Sequence, residues 1–557
     1  MRPSFRLVLA LAVVVEVAFL LVVPRYVTVD GANHVGGAAL IRDVLQGSGE
    51  LHLRYVELAT NLAPNLLPEV ALALSMLVLD HASAERLLQM AYAVALPLAL
   101  LYAVRSVRPG GEWIALLAIP LTFSFAFQYG FYDFSFGVSL FLVAAGYAWR
   151  HRVAPGWRAG LAFGLLALLL YLTHLVPYAE LAVFLAVVGA GRVLRSWRHA
   201  GSAAALATAR AMLPLAVGAV PSLALAVSFF LTTGSAAPEE FLNPVLQAVG
   251  VLGLATGLAT THPLEIAAAV VLALALAVLL LAVLRRRVGA RPREVRDEDV
   301  LFGYALVALV VALVAPASVQ SGGSYIPERL ALFPIYGLAL WLAAQDISRR
   351  LARLACGAML AVATAILLLR LPITLSLSSA TVEYESLAPC LAPRSTMIQV
   401  NLATLPAGPL GRTDPFKSEA GRIAAATGGH DIGNFEGHFP FFVFRNLPDN
   451  DPYTWLLTSP DGFEVPPGVD LTGYASRPNG TVDYVLVFGR PMAAAETLAS
   501  PGWVLLRDQL DAGYRPVARS ASGIVEAWER LDPTLGAAVA ARRLATGAPA
   551  CLPGAGP

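Results

Sequence analysis

Long apolar runs recur over the first two thirds of the chain, separated by short polar stretches. A helix that crosses a membrane needs roughly 20 apolar residues, within a range of about 17–25. The pattern therefore predicts eleven membrane spans. They cover residues 6–24, 86–105, 112–128, 134–149, 158–173, 176–193, 208–231, 264–284, 300–317, 328–345 and 351–373. The run at 66–79 is too short for a span, and we expect a re-entrant or interfacial helix there.

Arginine clusters lie between these runs in a regular order. They fall at 2–6, 105–111, 149–152, 192–200, 285–296 and 349–354. Basic loops of membrane proteins concentrate on the cytoplasmic side, and eleven spans put all of these clusters on one side. The sequence thus predicts a multi-pass protein of the cytoplasmic membrane, with a cytoplasmic N-terminus and an extracytoplasmic C-terminus. The stretches expected to face outward are 25–65, 130–134, 173–178, 232–263, 318–329 and everything after about 374.

The pattern changes after residue 376, where short apolar runs are bounded by Pro, Gly and Asn. The runs 395–402, 439–446 and 482–491 predict strands, residues 504–520 predict a helix followed by a strand, and 534–545 predict a further helix. The predicted fold class is therefore a polytopic α-helical membrane protein with a C-terminal extracytoplasmic α/β domain. The expected boundaries are 1–376 for the transmembrane domain, with a first outer loop at 25–65, and 377–557 for the soluble domain.

Composition supports the membrane assignment and excludes some functions. The chain is 57% hydrophobic and 14% charged, whereas soluble proteins are about one quarter charged. A net charge of +1 gives no reason to expect a nucleic-acid partner. The sequence contains no P-loop, GxSxG, HExxH or CxxC motif, so energy for any synthesis must arrive in the substrate. Two of the three cysteines, Cys390 and Cys551, lie in the polar C-terminal part. The sequence is consistent both with a disulfide between them and with two free thiols.

The stretch VDGANHVGGAALIRDVL begins a few residues after the first predicted span. Asp30 and His34 are four residues apart, so a helix would put them on one face. An ionisable group at a membrane boundary is a functional candidate, because it costs a few kcal/mol unless it is solvated or paired. Asp30 is suited to accept a proton, His34 to hold a proton or a phosphate, and either to bind a divalent metal. The alternative is that Asp30 simply caps the following helix.

Two further outward-facing stretches, at 129–137 and 170–181, carry polar groups. Asp133 stands in the aromatic turn YGFYDFSFG, and a tight loop with interfacial aromatics is the simpler interpretation there. His174 joins two apolar runs, where a helix-end role is more common than a ligand role. Glu180 lies one turn inside a span and should therefore have a partner or water.

The fourth stretch, SGGSYIPERLALFP, contains Tyr325 and Arg329 beside a glycine-rich turn. Arg329 heads a span on the outer side, against the general distribution of basic residues. A guanidinium binds phosphate in a bidentate way and keeps its charge. Arg329 is thus a candidate for a lipid-phosphate headgroup, and an ion pair with Glu328 that anchors the helix end is the equal alternative.

In these four stretches the chain resembles the GT-C superfamily of integral-membrane glycosyltransferases, in an uncharacterised bacterial branch. The resembling segments are VDGANHVGGAALIRDVL, FAFQYGFYDFSFGVSLFL, LLALLLYLTHLVPYAEL and GGSYIPERLALFPIYGL, spread over residues 1–375. The resemblance implies transfer of a sugar from a polyprenyl-phosphate carrier to a lipid, glycan or protein acceptor on the outer face.

Site roles follow from the same resemblance. Asp30 matches the acidic residue of the first outer loop, which serves as base or metal ligand, and a divalent cation such as Mg²⁺ or Mn²⁺ is a conceivable cofactor. Arg329 would bind the donor phosphate, with His174, Tyr325 and Asp133 as further substrate-binding candidates. Many relatives have two adjacent acidic residues where this chain has Asp30 alone. A second acidic group would have to come from Asp43, Glu57 or Asp133.

Two other function classes stay open. A flippase or transporter of a lipid-linked substrate would also need polar groups on the inner side for alternating access, and the inner loops are mainly arginine and small residues. A non-catalytic membrane assembly protein would use its outer domain to bind partners. Replacement of Asp30 by Asn separates an enzyme from a scaffold, because only an enzyme should lose turnover.

Overall fold

The computed structural model of the protein describes residues 3–59, 62–233, 238–288, 296–319, 323–458, 462–535 and 537–538. The described chain is mostly helical, with short strands concentrated in its C-terminal part. The helices are α1 Pro3–Val22, α2 Gly31–Leu45, α3 Leu67–Ser75, α4 His81–Val107, α5 Ala118–Thr122, α6 Phe125–Tyr129, α7 Tyr132–Arg150, α8 Trp157–Thr173, α9 Leu175–Ala211, α10 Leu213–Thr233, α11 Pro244–Leu252, α12 Ala255–Leu258, α13 Leu264–Val288, α14 Asp299–Val314, α15 Ile326–Leu330, α16 Leu332–Ala343, α17 Arg349–Glu385, α18 Ala420–Thr427, α19 Pro452–Trp455, α20 Leu471–Ala475, α21 Ala495–Leu498 and α22 Pro501–Gly513.

Strands and 3₁₀ turns complete the described secondary structure. The strands are β1 Val56–Leu58, β2 Pro238–Glu240, β3 Ser318–Val319, β4 Thr396–Asn401, β5 His430–Asp431, β6 Phe444–Asn446, β7 Tyr484–Phe488, β8 Tyr514–Arg519 and β9 Val525–Arg530. The 3₁₀ turns are His52–Arg54, Glu112–Leu117, Ala388–Cys390, Pro415–Ser418, Phe435–His438 and Arg490–Met492.

Eight helical segments of the described chain are long and apolar enough to cross a membrane. They are Phe5–Val22, His81–Val107, Glu112–Tyr129, Leu175–Ala211, Leu213–Thr233, Leu264–Arg287, Ile326–Ala343 and Arg349–Cys390. By length and composition, the structure therefore supports eight of the eleven predicted spans. The other three predicted spans coincide with α7, α8 and α14, of which α8 and α14 are apolar but shorter. The run at 66–79 forms the nine-residue helix α3, which is too short to cross.

The chain divides into two compact units. The first unit comprises Met1–Val22, Leu62–Pro68 and Gln89–Leu371, and the second comprises Val23–Asn61, Glu69–Leu88 and Pro372–Pro557. The divisions fall within α3, α4 and α17. The loop that follows the first apolar helix is thus part of the same compact unit as the C-terminal third of the chain.

A five-stranded mixed sheet forms the centre of the second unit, with the strand order β5-β4-β7-β9-β8. Strands β5, β4 and β7 run parallel, and β7, β9 and β8 run antiparallel. Every residue of β4 and β7 is buried, and β7 has the continuous apolar sequence YVLVF that a strand covered on both faces favours. Strand β1 of the N-terminal loop pairs antiparallel with β6, so that Val56 lies opposite Asn446.

A buried ionic group holds two helices of the second unit together. Arg422 on α18 is fully buried and contacts both carboxylate oxygens of Glu85 on α4. Its Nε also donates to Glu419, 3.1 Å away. A buried guanidinium needs such partners, because an unpaired charge inside a protein costs several kcal/mol.

Most strand predictions for the C-terminal part are confirmed by β4, β7 and the α22–β8 pair. The predicted strand at 439–446 is wrong in its first half, since only Phe444–Asn446 pairs. Pro440 interrupts that segment, and the rings of Phe439 and Phe441 stack on each other instead, 5.3 Å apart. The predicted helix at 534–545 lies mostly outside the described residues.

Candidate functional site

Asp30 and His34 lie in the first turn of α2. Asp30 occupies the N-cap position, but its side chain makes no capping hydrogen bond to the helix. The amide of His34 donates to the carbonyl oxygen of Asp30, 3.1 Å away, so the two residues are one helical turn apart. His34 is buried and Asp30 is half-buried. Helix capping by its side chain therefore does not account for Asp30.

Three buried side chains from distant parts of the second unit meet beside α2. They are His34, Glu69 at the start of α3, and Glu436 in the 3₁₀ turn Phe435–His438, with exposed fractions of 6%, 1% and 0%. Nδ1 of His34 lies 2.8 Å from Oε1 of Glu436. One potential ligand atom from each residue lies within 4.8 Å of the other two. We refer to these residues as the His34–Glu69–Glu436 cluster.

The electrostatics of this cluster are dominated by burial. Burial raises the pKa of the Glu69 carboxyl well above its usual value, and the nearby charge of Glu436 raises it further. Burial likewise raises the pKa of Glu436, and the negative charge of Asp30 adds to this shift. Two carboxylates this close cannot both be ionised without a compensating positive charge. A bound proton or a bound cation would supply that charge.

Gly37 makes room for both carboxylates against α2. A Cβ at this position would overlap Oε1 of Glu69 and would stand 3.0 Å from Oε2 of Glu436. The neighbouring Gly36 has a different role. Its Cβ would lie 3.1 Å from Cα of Gly421 on α18, so the two helices approach backbone to backbone. The paired glycines of the sequence NHVGGAAL thus serve a tight helix contact and the acidic cluster, respectively.

Asn434 fixes the position of Glu436. Its side-chain Nδ2 donates to the carbonyl oxygen of Asn33 on α2, 3.1 Å away. Its Oδ1 accepts from the amide of Glu436 at 3.0 Å and so caps the 3₁₀ turn. One amide side chain therefore ties the turn to the helix that carries His34.

Asp43, predicted as a possible second acid, belongs to another buried group. Its Oδ2 lies 3.1 Å from Nε2 of His52, and Nδ1 of His52 lies 3.1 Å from Nδ1 of His430. Burial raises the pKa of Asp43, but hydrogen bonds from His52 and Arg42 lower it further, so that it lies below its usual value. Glu57, the other candidate in this loop, is exposed on β1. Neither supplies an acid to the His34–Glu69–Glu436 cluster.

In the first unit, Tyr325 and Arg329 lie in one aromatic group. The guanidinium of Arg329 sits 3.9 Å from the ring centroid of Phe131, in cation–π geometry. The ring centroid of Tyr325 lies 6.2 Å from that of Phe131, and its hydroxyl accepts from Tyr129 at 3.4 Å. Tyr325 has a left-handed backbone, with φ of 54°. Gly322 of the glycine-rich turn lies outside the described residues.

The other candidates of the first unit have local structural roles. Nδ1 of His174 accepts from the amide of Val176 at 3.0 Å and caps α9, in agreement with the helix-end alternative. His174 also interacts electrostatically with Arg329. Asp133 is buried in the first turn of α7. The expected partner of Glu180 is Tyr304, whose hydroxyl donates at 3.0 Å.

Sequence reasoning missed Glu69 and Glu436. A signal was present for each, because Glu69 is the single charged residue of the run LLPEVALALSMLVL and Glu436 is the single acid of NFEGHFPFFVF. A lone carboxylate in an apolar segment requires a partner. Nothing in the sequence indicated that these two carboxylates lie beside each other in one cluster.

Neither a protein-family model nor a curated protein matches the chain.

Proposed function

We propose that the protein is an integral-membrane glycosyltransferase of the GT-C type. It would move a sugar from a polyprenyl-phosphate carrier to a lipid, glycan or protein acceptor at the outer face of the cytoplasmic membrane. The observation that carries the proposal is the half-buried carboxylate of Asp30, at the N-cap of α2 beside the buried His34–Glu69–Glu436 cluster. Eight apolar helices support the membrane setting. The eleven-span topology with the C-terminal part outside the cytoplasm belongs to the same proposal.

The exposure of these groups favours Asp30 as the residue that touches the acceptor. Asp30 is half-buried, whereas His34, Glu69 and Glu436 are all buried. In the proposed step an acceptor hydroxyl oxygen attacks the anomeric carbon of the sugar. The bond from this carbon to the phosphate oxygen breaks, polyprenyl phosphate leaves with the electron pair, and Asp30 takes the hydroxyl proton. His34 would hold the carboxylate of Glu436 in place, since its Nδ1 lies 2.8 Å from Oε1 of that residue.

The donor phosphate needs positive charge and hydrogen-bond donors rather than a base. Arg329 and Tyr325, which lie in one aromatic group of the first unit, are proposed for this role on the sequence resemblance alone. His174 is a weaker candidate, since its Nδ1 is already engaged in capping α9. Asp133 carries a negative charge when ionised and is not assigned to the phosphate.

The test measures release of polyprenyl phosphate, which requires no knowledge of the acceptor. The full-length protein in nanodiscs would be given a panel of polyprenyl-phosphate hexoses and pentoses, together with a membrane lipid extract as acceptor source. We expect the wild type to turn over at least one donor and Asp30→Asn to lose at least about 100-fold in kcat, as for loss of a general base.

The matched control is Glu50→Gln, which also neutralises a carboxylate in the N-terminal loop but at an exposed position. It should retain wild-type turnover. Equal turnover in Asp30→Asn and Glu50→Gln would contradict the role of Asp30. Donor transport into vesicles without any release of polyprenyl phosphate would favour a flippase, and binding without either would favour an assembly protein.

A further inference from the structure

We propose that the His34–Glu69–Glu436 cluster is a binding site for one divalent transition-metal ion, Zn²⁺ or Mn²⁺. The inference concerns equilibrium binding by three residues of the second unit. It does not depend on the glycosyltransferase proposal.

The donor set determines the class of ion. One imidazole and two carboxylates lie with one ligand atom each inside 4.8 Å, which is compact enough for a small adjustment to bring all three onto one cation. Protein zinc sites that keep a position open for a further ligand use three such side chains. An imidazole ligand favours zinc or other transition metals, whereas all-oxygen sites suit Mg²⁺ and Ca²⁺. A mixed nitrogen and oxygen set therefore favours Zn²⁺ or Mn²⁺.

The unsatisfied carboxylate of Glu69 is an independent indication of a ligand. Glu69 is 1% exposed, and among the described residues its carboxyl group has no hydrogen-bond donor by geometry, although it interacts closely with the carboxyl group of Glu436. Buried polar atoms almost always have a partner, because leaving one unpaired costs about 1–3 kcal/mol and more for a charged group. The carboxyl group of Glu69 lies close to that of Glu436, which is also fully buried. A cation between them satisfies both.

The surroundings hold the ligand residues in place. Gly37 leaves the space that the two carboxylates occupy, and Asn434 anchors the turn that carries Glu436 to α2. Well-built metal sites fix their ligands through such outer contacts. The nearby negative charge of Asp30 further favours a cation over an anion or water.

The three ligand residues lie on α2, on α3 and in the turn Phe435–His438. A metal ion would therefore crosslink three segments of the second unit that are distant in sequence. Because an ion that binds only the folded state stabilises that state, the protein should unfold at a higher temperature when the ion is bound.

The experiment uses full-length protein in detergent, stripped with a chelator and dialysed. Titration calorimetry and elemental analysis would measure the stoichiometry and Kd of Zn²⁺ and Mn²⁺, with Mg²⁺ and Ca²⁺ as comparison ions. We expect about one ion per chain. The variants Glu69→Gln, Glu436→Gln and His34→Gln should each weaken binding by more than the roughly 10–100-fold that loss of an outer-shell contact costs. Glu50→Gln should bind like the wild type.

X-ray absorption of the wild-type complex tests the site even if a variant fails to fold. We expect one nitrogen ligand at imidazole distance together with oxygen ligands. A shell without imidazole would overturn the proposal, and so would the absence of stoichiometric uptake or binding by the three variants equal to that of Glu50→Gln. The result is independent of turnover, so a failed metal site and a failed transferase are distinguished.

Discussion

Replacing Gly37 by Ala tests the packing of the acidic cluster directly. The added Cβ would overlap Oε1 of Glu69 and lie 2.9 Å from Cε1 of Phe444 and 3.0 Å from Oε2 of Glu436. Real Cβ atoms essentially never approach other heavy atoms below 3.0 Å, so the Glu69 carboxylate must move. Both Glu69 and Glu436 are buried, which leaves little room for that movement.

The magnitude follows from two opposing terms. Overpacking a filled interior costs about 1–3 kcal/mol. Ala is favoured over Gly inside a helix by about 0.8–1 kcal/mol, and Gly37 lies within α2. The net change in the free energy of unfolding should be a loss of roughly 0–2 kcal/mol. Displacing one ligand should also weaken Zn²⁺ binding at least about tenfold.

The assay compares thermal unfolding and Zn²⁺ titration of Gly37→Ala with those of Gly513→Ala. Gly513 is the last residue of α22, and a Cβ there would meet no heavy atom within 4 Å. The control should therefore match the wild type in Zn²⁺ affinity and be at least as stable. If Gly37→Ala proved as stable as Gly513→Ala and bound Zn²⁺ equally well, the space at Gly37 would be irrelevant and the reasoning would be refuted.

Three more outcomes are expected. Arg422→Met removes the guanidinium that pairs with the buried carboxyl groups of Glu85 and Glu419, and it should lower the free energy of unfolding by about 3–5 kcal/mol in denaturant titrations; an unchanged midpoint would contradict this. Burial raises the pKa of Asp431 to about 7. Because the unfolded carboxyl ionises from about pH 4 upward while the folded one stays protonated, stability should fall between about pH 4 and 7, and Asp431→Asn should lessen that fall in melting curves. Arg329→Lys should raise KM for the donor in the release assay more than it lowers kcat, since a lysine loses the bidentate phosphate contact; an unchanged KM would exclude the phosphate role.

Local features of the fold were predictable because local sequence determines them. The run of apolar residues in β7 and the α22–β8 pair follow from periodicity and turn residues, and both are confirmed. Strand β9 was missed because its sequence, VEAWER, alternates charged and apolar side chains only weakly. Its charged residues find partners across the sheet, as Glu529 does with Arg515 at 2.7 Å.

Only one residue of the His34–Glu69–Glu436 cluster was singled out from the sequence. The pattern around Asp30 and His34 drew attention to α2, since two ionisable groups one turn apart beside an apolar run are unusual. Glu69 and Glu436 escaped because their proximity is a tertiary property that no spacing reveals. The candidates Asp43 and Glu57 are near Asp30 in the sequence. In the structure, however, Asp43 contacts His52 and Glu57 is exposed on β1.

The pairing of β1 with β6 bears on how the chain is made. Val56 emerges early in synthesis, whereas its partner Asn446 follows only after the apolar helices have been translated. The bond from Asn434 to Asn33 joins residues 401 positions apart. Closing so long a loop is entropically costly and slow. The nascent N-terminal loop therefore stays incomplete until translation is nearly finished, and a chain whose synthesis stops before Phe435 would have His34 without Glu436 as its partner.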